Sequence, residues 1–261
     1  MIGLGTLINV VAIVVGGALG VLVGNRLPER TSRVVTDSLG LVVFVIAGFN
    51  IMSLTDVDFV GAVGPGVGLL VVVASLVIGG VIGSLLNIEE KLERFGTWLQ
   101  GAAKRRQGSR KRGASSTPRF DKNGRFVEGF VDASLIYCIG PMAILGALSD
   151  GTGNGIETLA LKASLDGVSA IAFAAALGWG VAASALPVGL WQGLLTLLAV
   201  GLGTFMSAAV IASITVTGGI LMLGIGLRVT NIRQVNVGNL LPALLVAPLI
   251  TLAVAAVRGV L

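Results

Sequence analysis

The chain carries eight long stretches that are apolar almost without interruption, and this most narrows what it can become. They run approximately over residues 4–24, 37–55, 64–87, 127–149, 155–178, 188–207, 212–229 and 238–258. A bilayer core takes about 20 apolar residues per helix, at roughly 1.5 Å each. The runs are continuous rather than alternating, which excludes the strands of a membrane β-barrel. Only 12% of the 261 residues are charged and mean hydropathy is +0.96, which excludes an ordinary soluble enzyme or a disordered chain. The expected class is all-α, a polytopic integral membrane protein of about eight spans.

The charges are gathered in one place. Between Gly101 and Phe126 stand nine basic residues (Lys104, Arg105, Arg106, Arg110, Lys111, Arg112, Arg119, Lys122, Arg125) and one acid, Asp121. That local +8 exceeds the +5 of the whole chain and leaves the rest slightly acidic. The other basic connections carry Arg26, Arg30 and Arg33 after the first span, and Arg228 and Arg233 after the seventh. With eight spans all of them fall on one side, the cytoplasmic side by the positive-inside rule, and both termini fall outside. The opening Met1–Val15 lacks a basic n-region, so no cleaved signal peptide is expected. Three parts follow: a three-helix segment with an amphipathic extension (1–100), the basic loop (101–126) and a five-helix segment (127–261). The pattern of 87–100 fits an amphipathic helix leaving the third span, and 107–118 reads as a linker. The loop is a topology determinant near anionic headgroups, or a binder of lipid or a cytosolic partner.

Ionisable groups inside spans are costly and point to function. Asp166 stands about eleven residues into the fifth span, with Ser164 and Ser169 close by in sequence. Oxygen-rich surroundings of one carboxylate suit a hard cation. Lys162 is four residues away, so a self-neutralising pair is the other reading. Glu128 and Asp132 fall on one face at the cytoplasmic end of the fourth span, either as a cation-collecting vestibule or simply at headgroup level. Gly140-Pro141 interrupts the same span, because proline removes a helix hydrogen bond and frees a carbonyl. Asn9, Asn50 and Gln192 are neutral polar groups suited to interhelical hydrogen bonds, and Asn9 could complete a site around Asp166. Asn231, Asn236 and Asn239 read as loop and cap residues.

The 39 glycines are not uniform. Gly16, Gly20 and Gly24, and again Gly79 and Gly83, recur every four residues, a spacing for close helix packing within one chain or in a homo-oligomer. Thr36–Asn50 can be laid on Ile214–Arg228, aligning Gly40 with Gly218 and Gly48 with Gly226. The preceding spans then align Asn9 with Gln192 and Gly20 with Gly203. Such copies would run in opposite directions, as in inverted-repeat transporters.

Several chemistries lack their residues. There is no histidine and a single cysteine, Cys138. No phosphate-binding loop, HExxH or CxxC is present, so no cofactor and no enzymatic activity are expected and any metal is left unassigned. The basic loop's charge could bind RNA or anionic lipid, but its reading as a topology determinant leaves no nucleic-acid partner expected.

Several blocks together resemble the YqgA-like family of bacterial membrane proteins, a domain of unknown function. They are Ile2-Gly-Leu-Gly-Thr-Leu-Ile-Asn9, Gly16-Gly-Ala-Leu-Gly20, Arg26-Leu-Pro28, Cys138-Ile-Gly-Pro-Met-Ala-Ile-Leu-Gly146, Lys162-Ala-Ser-Leu-Asp-Gly167, Gly224-Ile-Gly-Leu-Arg228 and Val237-Gly-Asn-Leu-Leu-Pro242. The blocks keep the family's order over nearly the whole chain, although the basic loop is longer. The resemblance implies a bacterial inner-membrane protein and suggests Na⁺ channels or pumps as the activity; it supplies no catalytic residues. The leading expectation is a secondary transporter or channel for Na⁺ or H⁺. Asp166 would be central, Ser164, Ser169 and Asn9 would support it, and Gly140-Pro141 would offer free carbonyls. Asp132 and Glu128 would form the vestibule. The alternative is a non-transporting structural or regulatory membrane protein acting through the basic loop. The partners expected are the lipid bilayer, a small cation and a second copy of the chain.

Overall fold

The computed structural model describes residues 2–24, 28–108, 125–139, 141–202 and 207–259. Arg110, Lys111, Arg112, Arg119 and Lys122 of the basic loop, together with Gly140 and Gly203, lie outside the described residues.

In lipid every backbone amide must find its partner inside the chain, so the apolar runs become helices. They are α1 (Leu4–Gly24), α2 (Glu29–Ile51), α3 (Val57–Val63), α4 (Val67–Leu85), α5 (Ile88–Gly108), α6 (Arg125–Cys138), α7 (Pro141–Gly151), α8 (Glu157–Leu177), α9 (Trp179–Ala183), α10 (Ala185–Leu202), α11 (Ala208–Val229) and α12 (Ala243–Val257). Local chemistry sets several ends. Asp56 caps α3 by accepting from the amides of Asp58 and Phe59. Ser207 caps α11 through Val210.

Seven of the described helical segments are long and apolar enough to cross a bilayer. The expected span at 127–149 is not one straight helix. It divides near Ile139 into α6 and α7, whose axes differ by 62°, and the pair counted as one broken span makes the eighth. The division falls beside Pro141, where helix hydrogen bonding must lapse. Other boundaries move too: α2 begins at Glu29 rather than 37, and α10 begins at Ala185 rather than 188. The amphipathic helix expected over 87–100 continues as α5 to Gly108, with Glu89 and Glu90 in its first turn favouring the positive end of the helix dipole.

The bundle is interleaved in sequence. α1 packs on α8, α2 on α11, α4 on α12, α7 on α10 and α6 on α9, so the first three spans share one core with the rest. α11 lies deepest, with two thirds of its apolar window buried (67%), and Leu221 and Ile225 on it are fully enclosed. Outward faces remain apolar, as in Phe49, Leu190 and Leu197, which suits helices that face lipid tails.

Close packing replaces the hydrophobic drive that lipid does not provide. A side chain at Gly16, Gly20 or Gly24 would collide with the backbone carbonyls of Gly167, Ile171 and Ala175 respectively. One glycine per turn of α1 thus meets one carbonyl per turn of α8. Gly79 and Gly83 likewise meet the backbones of Ala243 and Asn239. Both glycine series are therefore used within the chain. Gly20→Val should lower the melting temperature of detergent-purified protein, by the ~1–3 kcal/mol typical of overpacking. Gly48→Ala, with nothing within 4 Å of the added carbon, should leave it unchanged or raise it.

Candidate functional site

The densest buried polar group centres on α8. Asp166 stands at the middle of this 21-residue helix, and its Oδ2 lies 2.5 Å from Nζ of Lys162 one turn earlier. Both side chains are about nine-tenths buried. The Lys162 ammonium also lies 5.9 Å from the centre of the Tyr137 ring, on α6 just before the break, within reach of a cation–π attraction. α1 contributes Asn9, fully buried, which stands beside the Asp166 carboxylate and favours its charged form. Asn9 Nδ2 also donates to Oε1 of the buried Gln192 on α10, at 3.2 Å. Lys162 of α8 and Asn9 of α1 therefore flank the carboxylate, with Tyr137 of α6 and Gln192 of α10 behind them.

The supporting oxygens expected around Asp166 divide. Ser169 Oγ lies 3.0 Å from the Asp166 carbonyl and 3.3 Å from the Tyr137 hydroxyl, and belongs to the group. Ser164 does not join it. Two residues on a helix lie about 200° apart, and Ser164 is exposed on the opposite face, donating to the Ala160 carbonyl. Pro141 opens α7 after the break, and its side chain, like all of Gly140, lies outside what is described.

The expected vestibule is closed over at Asp132. That residue is 0% exposed, while Glu128, one turn before, is half-buried. Asp132 Oδ1 lies 3.2 Å from Nε of Arg228, yet neither carboxylate oxygen accepts an aligned hydrogen bond among the described residues. The contact is Coulombic. Arg228 instead gives its aligned bond to Glu89 Oε1 at 2.5 Å. Glu89 Oε2 accepts from the Gly238 amide, and the Glu89 amide donates to Asn239 Oδ1. One buried cation thus serves two buried carboxylates and holds the start of α5 to α11. Sequence reasoning missed this. Arg228 reads as a loop cation, although a lone arginine closing a glycine-rich apolar helix was the available signal.

A second missed role belongs to Asp150, buried at the end of α7. Its two oxygens accept from the amides of Gly3 (3.0 Å) and Gly5 (3.1 Å), capping α1 from across the bundle. Among the described residues no cluster of three or more Asp, Glu or Cys could hold a metal ion. The groups present instead hold charge by pairing and by hydrogen bonds.

A multi-pass helical membrane protein with an ion pair buried midway along one spanning helix is the class these features define. The chain belongs to the family described as "Protein of unknown function (DUF554)", whose model matches residues 4–252. It is similar to the uncharacterized membrane protein YdfK of Bacillus subtilis (strain 168), at 27% identity over 248 residues and 94% of each chain. It is similar also to the uncharacterized protein YqgA of Escherichia coli (strain K12), at 28% identity over 244 residues and 94% of each chain. No solved structure matches it.

Removing Arg228 should be costly, because two buried carboxylates lose the guanidinium that they share. Arg228→Met is expected to destabilise the protein by about 3–5 kcal/mol, measured as thermal unfolding in detergent. Adding Glu89→Gln should recover part of that loss.

Proposed function

We propose that this protein is a secondary transporter or channel for a small cation, Na⁺ or H⁺, with Asp166 as its binding carboxylate. The observation that carries the reading is the Lys162–Asp166 pair buried midway along α8. A charge at that depth is expensive unless paired, and here the pairing partner is itself a cation. Lys162 occupies the place that a cargo cation would take. Asn9 steadies the carboxylate from α1, and Ser169 and Tyr137 border it from beside the α6–α7 break. A cation arriving at Asp166 would displace the ammonium, whose positive charge the face of Tyr137 is placed to receive.

The packing supports an inverted repeat as the frame of such a transporter. The aligned helices α1 and α10, and α2 and α11, lie against each other in antiparallel pairs. Asn9 bonds Gln192 while Val10 meets Gly189, and Gly40 meets Thr230 while Asn50 meets Gly219. α4 and α12 pack in the same sense, with Gly79 at Ala243 and Gly83 at Asn239. Two halves related in this way can exchange outward- and inward-facing states around a midplane site. The basic connections set the orientation in a bacterial inner membrane, with both termini outside and the half-buried Glu128 at the cytoplasmic end of α6.

A second reading rests on α5. Phe95 and Trp98 stack at 5.7 Å and are exposed next to the basic loop, an arrangement suited to the cytoplasmic lipid interface. On that reading the protein is structural or regulatory and moves no ion. Deleting residues 104–116 separates the two: loss of its cellular role with cation flux intact favours the second.

The direct test uses purified protein in liposomes. Asp166→Asn should abolish cation flux, and unchanged flux would refute the transport reading. Lys162→Met leaves Asp166 without its counter-ion, so added Na⁺ should raise the melting temperature of this variant more than that of the parent. Asp166→Asn should show no such rise.

A further inference from the structure

Buried polar side-chain atoms without a partner among the described residues are not scattered through the bundle. Four of them, Thr6 Oγ1, Asn9 Oδ1, Gln192 Nε2 and Thr196 Oγ1, belong to α1 and α10. The rest are Trp191 Nε1, which is also on α10, and the two Asp132 carboxylate oxygens on α6. The four residues are 8%, 0%, 0% and 2% exposed, so neither lipid nor bulk water covers them.

Register places them together. α1 and α10 are antiparallel, with Asn9 bonded to Gln192. Thr6 lies about one turn toward the start of α1, and Thr196 about one turn toward the end of α10. Both threonines are then at the same level, and a second contact agrees. Gly5, next to Thr6, gives its amide to Asp150, while Gly151 packs on the carbonyl of Thr196. Adjacent residues of α7 thus roof both helices at the same end of the seam.

The directions of the hydrogen bonds decide what fits there. A carboxylate only accepts, so the Asn9 amine rather than its oxygen is the group that suits the neighbouring Asp166. The same amine serves Gln192 Oε1, which leaves Asn9 Oδ1 as a free acceptor and Gln192 Nε2 as a free donor. The two hydroxyls can do either. A bare metal ion would face the Gln192 N–H and be repelled, and an apolar filler would leave all four groups desolvated. Water both donates and accepts, and a buried water takes two to four polar partners.

We propose that the seam between α1 and α10 is a water-binding site, whose molecules join Thr6 and Thr196 to the Asn9–Gln192 pair and so link one end of the bundle to Asp166. On the transport reading, from which this takes Asp166 as its destination, the seam is the outer approach for a proton or a hydrated cation. The hydration itself does not depend on transport.

Threonine-to-valine replacement keeps shape and removes only the hydroxyl. In a hydrated seam, Thr6→Val and Thr196→Val each strip a partner from bound water and should lower the melting temperature by roughly 2–4 °C. Because the water is shared, the double variant should lose less than the sum of the two. Thr6→Ser and Thr196→Ser, which keep the hydroxyl, should lose less than the valine variants. In a dry seam the valines relieve an unpaired polar group and the melting temperature rises. A raised or unchanged value for the valine variants, or an equal loss for the serine variants, would overturn the proposal. Flux distinguishes it from the transport reading. Early melting of the valine variants alongside unchanged flux in Asp166→Asn keeps the hydrated seam and removes transport. Flux lost in Asp166→Asn with stabilised valine variants does the reverse.

Discussion

The distance between α1 and α8 governs the rest of the molecule. Gly16, Gly20 and Gly24 bring one backbone onto the carbonyls of the other. Lipid tails are as apolar as leucine, so contact of this closeness, rather than exclusion of water, gives the two helices a reason to stay together. The same contact sets the polar centre. Ala12 lies against Gly167, and one turn away Asn9 reaches the neighbouring Asp166. A larger residue along this seam would part Asn9 from the carboxylate as well as loosen the bundle.

Charge is handled differently in the two ionic groups. Lys162 and Asp166 are one cation and one anion on a single helix, four residues apart, and they balance. Around Arg228 one cation answers Glu89 and Asp132, brought from three separate helices, so two carboxylates share one counter-charge. The first pair forms as soon as its helix does. The second exists only when α5, α6 and α11 have met, so it reports assembly of the bundle. Removing a partner from such a buried set leaves a charge without compensation, the most damaging kind of single change.

Much of this was legible in the sequence because it follows helical periods. Glycines at every fourth position announced a close seam, Lys162 and Asp166 stood at i and i+4, and Pro141 marked where a span breaks. What escaped was long-range pairing. Glu89 and Arg228 are 139 residues apart, and no local pattern joins them. Asn9 and Gln192 met only through an alignment of two apolar spans, 183 residues apart. Ser164 was misassigned for a geometric reason: nearness in sequence to Asp166 puts it on the opposite face of the helix. Asp132, placed by its position at a mouth, is enclosed by neighbours that the span boundaries did not reveal.

Asp150 carries a consequence for the order of assembly. The amides of Gly3 and Gly5 at the start of α1 are held by a residue 147 and 145 positions further on, and the glycine face of α1 waits for α8, which begins at Glu157. A ribosome delivers the first helix long before either partner has been made. Early in synthesis α1 therefore stands in the membrane with its small-residue face against lipid and its leading amides toward water. Only the closing of the chain's second half gives it these neighbours, so α1 is made well before it can be fully packed.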